Sequence, residues 1–134
     1  MSHDERMTSP HVTLYGIPNC DTVKKARAWL NEWKIPHAFH DFKKQGVPVD
    51  RLALWTETVS LEKLLNRQGT TWRKLPAELQ ATVHDAASAL ALMAEHPSLI
   101  KRPVVEWTGV PQHHVTVGFR PDEWEKHLTA LQVV

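Results

Sequence analysis

Apolar residues near the start of the chain change from strand-like to helix-like spacing and back again. The segment "HVTLYGI" is rich in β-branched and aromatic residues and stops at Gly16 and Pro18, which predicts a strand over residues 11–15. A second alternating run, "IPHAFHDF", predicts another strand. Between the two, apolar residues recur three, four and three positions apart on one face of a predicted helix: Val23, Ala26, Leu30 and Trp33. Strand, helix and strand with short connections are typical of a βαβ unit with parallel strands.

The middle of the chain predicts several helices separated by irregular segments. Pro48 and Asp50 are favourable residues for opening a helix, Gly69 ends a second one, and an alanine- and leucine-rich segment stops at Pro97. Beyond it, "RPVVEWTG" and "HHVTVGF" predict two short strands joined by a turn at residues 109–111. Pro121 then opens a last helix.

This order of elements predicts one α/β domain. Four strands form a small mixed sheet, helices are available to cover both of its faces, and a helical insertion at about residues 48–97 separates the second strand from the third. Residues 1–10 are interpreted as a polar tail, and residues 11–134 as the single domain.

Composition and charge narrow the classes of function. The chain has 134 residues with 16 basic and 15 acidic side chains, and its net charge of +1 gives no general electrostatic reason to expect nucleic acid or anionic lipid as a partner. No apolar run approaches the roughly 20 residues that span a bilayer. A single cysteine fits a reducing compartment. We therefore expect a cytoplasmic protein with no nucleic-acid or membrane partner.

Nine histidines raise the question of a metal site. His113 and His114 are neighbours in a predicted strand, so their side chains point to opposite faces and cannot share one ion. His37 and His40 likewise fall on opposite sides of their predicted strand. We expect no bound metal.

The one cysteine, Cys20, lies where the first predicted strand ends and the first helix begins. Unpaired backbone N–H groups at a helix N-terminus stabilise a thiolate, which lowers the thiol pKa from about 8.5. Lys24, one turn later, is a candidate for further positive charge. The alternative is that Cys20 is a small buried hydrophobe, as free cysteines commonly are. Its polar neighbours, Asn19 and Asp21, favour the reactive interpretation.

Three motifs carry a resemblance to a known family. "YGIPNCDTVKKAR", "LIKRPVV" and "GFRPDEW" occur in this order, and together they resemble the arsenate reductase-like (ArsC/Spx) family, and within it the YffB-type branch. The likeness extends from about Thr13 to Leu128. It implies a thioredoxin-like fold with a helical insertion, which agrees with the predicted order of elements.

The resemblance also implies a chemistry. Arsenate-reducing members use the cysteine at the Cys20 position as nucleophile, glutathione completes the exchange, and glutaredoxin clears the product. It therefore implies glutathione as co-substrate, glutaredoxin as a possible protein partner, no bound cofactor, and a small oxyanion or a thiol as substrate.

Further site residues follow from the same motifs. Arg102 and Arg120 match arginines that are implied to hold the anion and the thiolate, and a guanidinium suits this role because it stays charged and offers a planar fork of donors. Pro103 occupies the position at which thioredoxin-like folds place a cis-proline facing the cysteine. Asn19 and Lys24 are further candidates for contact with the sulfur or a substrate. For Asn19, a role in forming the turn explains the residue equally well.

Two departures from the family pattern shape the expected function. Arsenate-reducing members carry an additional arginine where this chain has Asn66, and the adjacent Arg67 is rotated by about 100° on a helix. Val23 stands where Spx-type regulators often have the second cysteine of a redox pair, so any adduct on Cys20 must be resolved by an external thiol. We rank glutathione-linked thiol chemistry first and arsenate second. The alternative function is a non-catalytic, Spx-like module that binds another protein.

Overall fold

The computed structural model describes residues 11–108 and 113–133, and for residues 129–133 it describes the backbone alone. The predicted polar tail at residues 1–10 and the predicted turn at residues 109–111 lie outside the described residues. In chain order the elements are β1 His11–Gly16, α1 Asp21–Glu32, β2 His37–Asp41, α2 Phe42–Gln45, α3 Val49–Val59, α4 Leu61–Leu64, α5 Thr70–Lys74, α6 Ala77–Ala81, α7 Ala86–Glu95, the 3₁₀ turn Pro97–Leu99, β3 Val104–Thr108, β4 His114–Val117 and α8 Pro121–Val133.

The chain divides into two compact units. The sheet unit consists of the chain up to His40 together with the chain from Arg102 onward, and the helical unit is Asp41–Lys101. The helical unit extends beyond residues 48–97, the range predicted for the helical insertion, at both ends.

Four strands in the order β2-β1-β3-β4 form the sheet. β1 and β3 are antiparallel, as are β3 and β4, whereas β1 and its neighbour β2 are connected through α1 in the manner of a βαβ unit. The Tyr15 hydroxyl of β1 donates a hydrogen bond of 2.8 Å to buried Glu106 of β3. The predicted α/β class with a four-stranded mixed sheet is confirmed.

Apolar side chains of α1, α8 and two strands form the core of the sheet unit. In this core Trp124 of α8 meets Trp107 of β3 edge to face at 5.1 Å between ring centroids. The residues of the core share near-complete burial: Val12, Leu14, Val23, Ala26, Leu30, Val105, Trp107, Trp124 and Leu128. Because α1 is fixed to the sheet by its buried face, its N-terminal end has a defined position beside the end of β1.

The helical unit contains more and shorter helices than the sequence predicted. Residues 70–74 form the short helix α5, and the alanine-rich helix starts at Ala86. A capping box fixes this start: the Asp85 carboxylate accepts a hydrogen bond from the Ser88 N–H at 2.9 Å. None of the described helices is long and apolar enough to cross a membrane.

The second strand ends earlier than expected because Asp41 caps a helix. Phe42 was predicted as a strand residue, but it is the first residue of α2. The Asp41 carboxylate accepts hydrogen bonds from the backbone N–H of Lys43 at 2.9 Å and of Lys44 at 3.3 Å. In return, the Gln45 side chain accepts from the Asp41 N–H at 3.0 Å.

Removal of this cap is expected to destabilise the protein. Asp41→Ala deletes both acceptor contacts and should lower the free energy of unfolding by about 1 kcal/mol, whereas Asp41→Asn keeps an acceptor oxygen and should cost much less. Urea denaturation of the two variants measures the difference. Equal losses for alanine and asparagine would contradict the capping role.

Candidate active site

The sulfur of Cys20 lies at the junction between β1 and α1. Cys20 is the N-cap residue of α1, with extended backbone angles (φ −98°, ψ 124°). Its N–H donates to the Ile17 carbonyl at 3.2 Å, and its own carbonyl accepts from the Lys24 N–H at 2.9 Å. These bonds close the turn after β1 and start the helix, so the position of the cysteine is set by backbone geometry.

Gly16 permits the close approach of strand and helix at this junction. A Cβ atom at Gly16 would lie 2.7 Å from a methyl group of buried Val23. Any larger residue would therefore push the first turn of α1, and with it Cys20, away from the end of β1.

The surroundings of Cys20 favour the thiolate. Burial is the largest single influence and raises the pKa of the thiol, but the backbone N–H of Val23, a hydrogen bond and the charge from the Arg102 guanidinium, and the N–H of Thr22 together outweigh it. The pKa of Cys20 is consequently lower than the reference value of 9.0. No conventional side-chain bond caps α1 at this position, and the first-turn N–H groups act on the sulfur instead.

Arg102 reaches Cys20 from the segment that leads into β3. The peptide bond between Arg102 and Pro103 is cis, the isomer predicted for Pro103. The Pro103 carbonyl accepts a hydrogen bond of 2.8 Å from the N–H of Gly118, which has a positive φ of 88° at the end of β4. The start of β3 is thereby tied to the end of β4, and this fixes the backbone from which the half-buried Arg102 side chain extends.

Arg120 is paired with an acidic residue in the first turn of α8. The Arg120 side chain is 66% exposed, and its Nη1 atom lies 3.1 Å from a carboxylate oxygen of Glu123 in the first turn of α8. Arg120 is not among the groups that lower the pKa of Cys20. Its role in anion binding stays a prediction.

Asn19 and Lys24 are both exposed beside the cysteine. Neither side chain contributes to the lowered pKa of Cys20. The sequence attributed a possible electrostatic role to the Lys24 ammonium, but the contact that the structure shows is through its backbone N–H. Their roles as substrate contacts stay predictions.

The free thiol is half-buried, so it is neither sealed in the core nor fully solvated. Cys20 and Phe119 both pack at the margin of the sheet unit's core. Phe119, which meets Trp124 edge to face at 5.2 Å, was not singled out from the sequence. Phe119 directly precedes Arg120 and Pro121, and this place in the quoted motif is the sequence feature that could have drawn attention to it.

Asn66 and Arg67, at and next to the position where arsenate-reducing members are expected to carry an additional arginine, lie in the helical unit. The Asn66 N–H donates to the Leu99 carbonyl at 2.7 Å, and its side-chain oxygen accepts from the Gln68 N–H at 3.2 Å. The Arg67 guanidinium lies 3.8 Å from the Glu62 carboxylate and 5.7 Å from the centre of the Trp72 ring. Arg67 is therefore engaged with its own unit.

Comparison with known proteins identifies the family. The model of the ArsC family matches residues 15–127, which include the Cys20 junction and the Arg102–Pro103 segment. The chain belongs to the ArsC family.

Two solved structures and one curated relative show which proteins this ArsC-family chain is similar to. A YffB protein is 44% identical with a TM-score of 0.80, and the match covers 87% of this chain and 98% of the other. An ArsC-related protein from Brucella melitensis is 50% identical with a TM-score of 0.66, over 87% and 92% of the two chains. The global transcriptional regulator Spx of Bacillus subtilis is 26% identical, over 87% and 86%. The predicted family and its thioredoxin-like fold are confirmed.

Proposed function

We propose that this ArsC-family protein is a thiol-dependent oxidoreductase that removes glutathione from mixed disulfides. The observation that carries the proposal is the lowered pKa of Cys20, which results from first-turn N–H groups and the Arg102 guanidinium acting on one half-buried sulfur. A thiolate that is stabilised but reachable is the nucleophile of thiol–disulfide exchange.

In the first step, the Cys20 thiolate attacks the glutathione sulfur of a substrate R–S–S–G. A Cys20–S–S–G bond forms, the substrate disulfide breaks, and the leaving R–S⁻ takes up a proton from water. The Arg102 guanidinium, which stabilises the thiolate before attack, remains available to hold a carboxylate of the incoming glutathione group.

In the second step, the thiolate of free glutathione attacks the glutathione sulfur of the Cys20 adduct. Oxidised glutathione leaves, and the Cys20 thiolate is regenerated. Over both steps R–S–S–G and one glutathione become R–SH and oxidised glutathione, so the electron pair comes from the external thiol. An external thiol is required because Cys20 is the only cysteine of the chain; glutaredoxin is a second candidate for this step.

Arsenate is the second-ranked substrate. A doubly charged oxyanion is best held by several guanidinium groups, and Asn66 stands at the position where arsenate-reducing members have an arginine. Arg67 is engaged with Glu62 and Trp72, and Arg120 with Glu123. Arg102 is the arginine that acts on the thiol, and this favours a disulfide over an oxyanion.

Mass spectrometry of the intact protein tests the proposal. Treatment with oxidised glutathione should add about 305 Da, the mass of one glutathionyl group, and Cys20→Ser should gain nothing. Glutathione with glutaredoxin should then remove the adduct, whereas arsenate with glutathione should give slow turnover or none. An untouched wild-type thiol would refute the proposal, and rapid arsenate reduction would reverse the ranking of substrates.

The Spx relative supports a second candidate, a regulatory module that binds another protein. Such a module needs an exposed surface rather than a reactive thiol. Pull-down from a lysate with wild type and with Cys20→Ser separates the two candidates. A partner retained equally by both proteins, together with no turnover in glutathione-coupled assays, would favour the module.

A further inference from the structure

Tyr15 of β1 and Glu106 of β3 form a buried hydrogen bond that has no part in the proposed reaction steps. The Tyr15 hydroxyl donates to a Glu106 carboxylate oxygen at 2.8 Å, and the two residues are 7% and 8% exposed. Strand alternation places both side chains on the face of the sheet away from α1 and α8, because their neighbours Leu14 and Val105 belong to the core on the other face. Stability alone does not require this pair, since apolar residues at both positions can be nearly as favourable.

The bond links the two strands at one end of their pairing. Tyr15 lies opposite Val104, the pair at this end of the register, and Glu106 lies opposite Thr13. The hydrogen bond therefore runs diagonally across β1 and β3. The Tyr15 ring also meets the His40 ring of β2 at 5.0 Å between centroids. Tyr15 thus contacts the strands on both sides of β1, and side chains as well as backbone hold the end of this strand.

Directly beyond this end, the two strands lead to the two groups that meet at the candidate active site. The segment that enters β3 at Val104 carries Arg102 two residues earlier. On the other strand, Tyr15 is followed five residues later by Cys20, through a turn that a backbone hydrogen bond of 3.2 Å closes. Because both connections are short, a shift of β1 against β3 at Tyr15 would move the sulfur relative to the guanidinium.

The effect expected of the pair on Cys20 is one of position rather than charge. The Arg102 guanidinium is among the groups that shift the pKa of Cys20, whereas Glu106 and Tyr15 are not. The hydrogen bond that a guanidinium donates depends steeply on angle as well as on distance. A small displacement of either the sulfur or the guanidinium would therefore weaken their contact.

We propose that the hydrogen bond between Tyr15 and Glu106 holds the end of β1 against the start of β3 and so maintains the contact between the thiol and the guanidinium. Both are positioning residues in this role, because they act through Arg102. The inference rests on the proposed function of Cys20 as nucleophile and names two residues that support it. It requires that loss of the Tyr15 hydroxyl affects the thiol only while Arg102 is present.

A double-mutant cycle, measured by the pH dependence of alkylation with iodoacetamide, tests the proposal. Tyr15→Phe keeps the ring and deletes the hydroxyl. It should raise the alkylation midpoint of Cys20 by about 0.3–0.6 pH units, which is about a two- to fourfold loss of thiolate at a fixed pH below the midpoint. In the Arg102→Met background the same substitution should shift the midpoint by less than about 0.1 pH unit. An equal shift in both backgrounds, or no shift in wild type, would overturn the proposal.

Variants of Glu106 and of a second hydrogen bond in the sheet provide the controls. Glu106→Leu removes the acceptor and should raise the midpoint, whereas Glu106→Gln keeps an acceptor oxygen and should restore most of the wild-type value. Thr116→Val is the matched control, since it deletes a hydrogen bond of 2.9 Å from Trp107 across β3 and β4, and it should leave the midpoint unchanged. Equal shifts for leucine and glutamine at position 106, or a shift in Thr116→Val as large as that in Tyr15→Phe, would contradict the positioning role.

A folding defect and a failure of the proposed function are both separable from this result. Circular dichroism checks the fold of each variant at every pH used. Where Tyr15→Phe alone is too unstable, its combination with Glu106→Leu replaces both partners by apolar groups and should show the same raised midpoint. Alkylation involves neither glutathione nor a disulfide. A wild-type chain that forms no glutathione adduct therefore refutes the proposed function, whereas a normal adduct with an unmoved midpoint in Tyr15→Phe refutes the positioning role alone.

Discussion

Cys20→Ser is expected to lower kcat/KM for a glutathione mixed disulfide at least about 1,000-fold. A serine hydroxyl is almost wholly protonated at neutral pH, and it cannot form the disulfide that the second step requires. The N–H groups of Val23 and Thr22 and the Arg102 guanidinium would remain in place, but without a thiolate to stabilise. The assay couples the release of oxidised glutathione to glutathione reductase and NADPH.

The same variant should fold normally. Cys20 is half-buried at the margin of the core, and serine is a common N-cap residue whose hydroxyl accepts from first-turn N–H groups. Circular dichroism and urea denaturation provide the control, and Cys20→Ala should be equally inactive without offering a cap. Residual activity above about one tenth of wild type in either variant would contradict the assignment of Cys20 as nucleophile.

Local sequence patterns predicted the elements that place the thiol. The strand stop at Gly16 and the apolar stripe of α1 were sufficient to put Cys20 at a helix N-terminus. In contrast, the sequence could not reveal that Asp41 ends β2 by capping α2, because strand alternation and an N-cap residue compete at that position and only the backbone decides.

Contacts between distant segments were harder to predict. The resemblance named Arg102 and Arg120 together; of these two arginines, Arg102 lowers the pKa of Cys20, whereas Arg120 forms an ion pair with Glu123 in the first turn of α8. This i,i+3 pair is visible in the sequence as "RPDE". The contact between the His114 ring of β4 and the His127 ring of α8, with centroids 4.4 Å apart, joins segments distant in the chain, and no local pattern reports it.

Arg102→Met is expected to raise the pKa of Cys20. The substitution removes a hydrogen bond and a positive charge that lower the pKa, while burial, which raises it, persists. Only the N–H groups of Val23 and Thr22 would then oppose burial. For each unit by which the pKa rises above the assay pH, the thiolate fraction falls about tenfold, but the more basic thiolate is also more nucleophilic, so the observed rate should fall about three- to fourfold.

The rate of alkylation by iodoacetamide, measured against pH, reports this pKa directly. In wild type the midpoint should lie below the reference value of 9.0, and in Arg102→Met it should lie higher than in wild type. Arg120→Met is the matched control, because Arg120 is paired with Glu123 and is not among the groups that lower the pKa of Cys20. A midpoint shifted equally by both substitutions would show that general charge, and not the contact with Arg102, sets the reactivity.

The lowered pKa also has a consequence for stability. Because the thiol is more acidic in the folded chain than in the unfolded one, thiolate formation favours folding. This stabilisation is complete above the unfolded-state pKa and is lost as the pH falls through the folded-state pKa. The free energy of unfolding of wild type relative to Cys20→Ser should therefore rise with pH between these two values. In the Arg102→Met background this rise in unfolding free energy with pH should shrink or become a fall. The reason is that the guanidinium that activates the nucleophile also stabilises the thiolate in the folded chain.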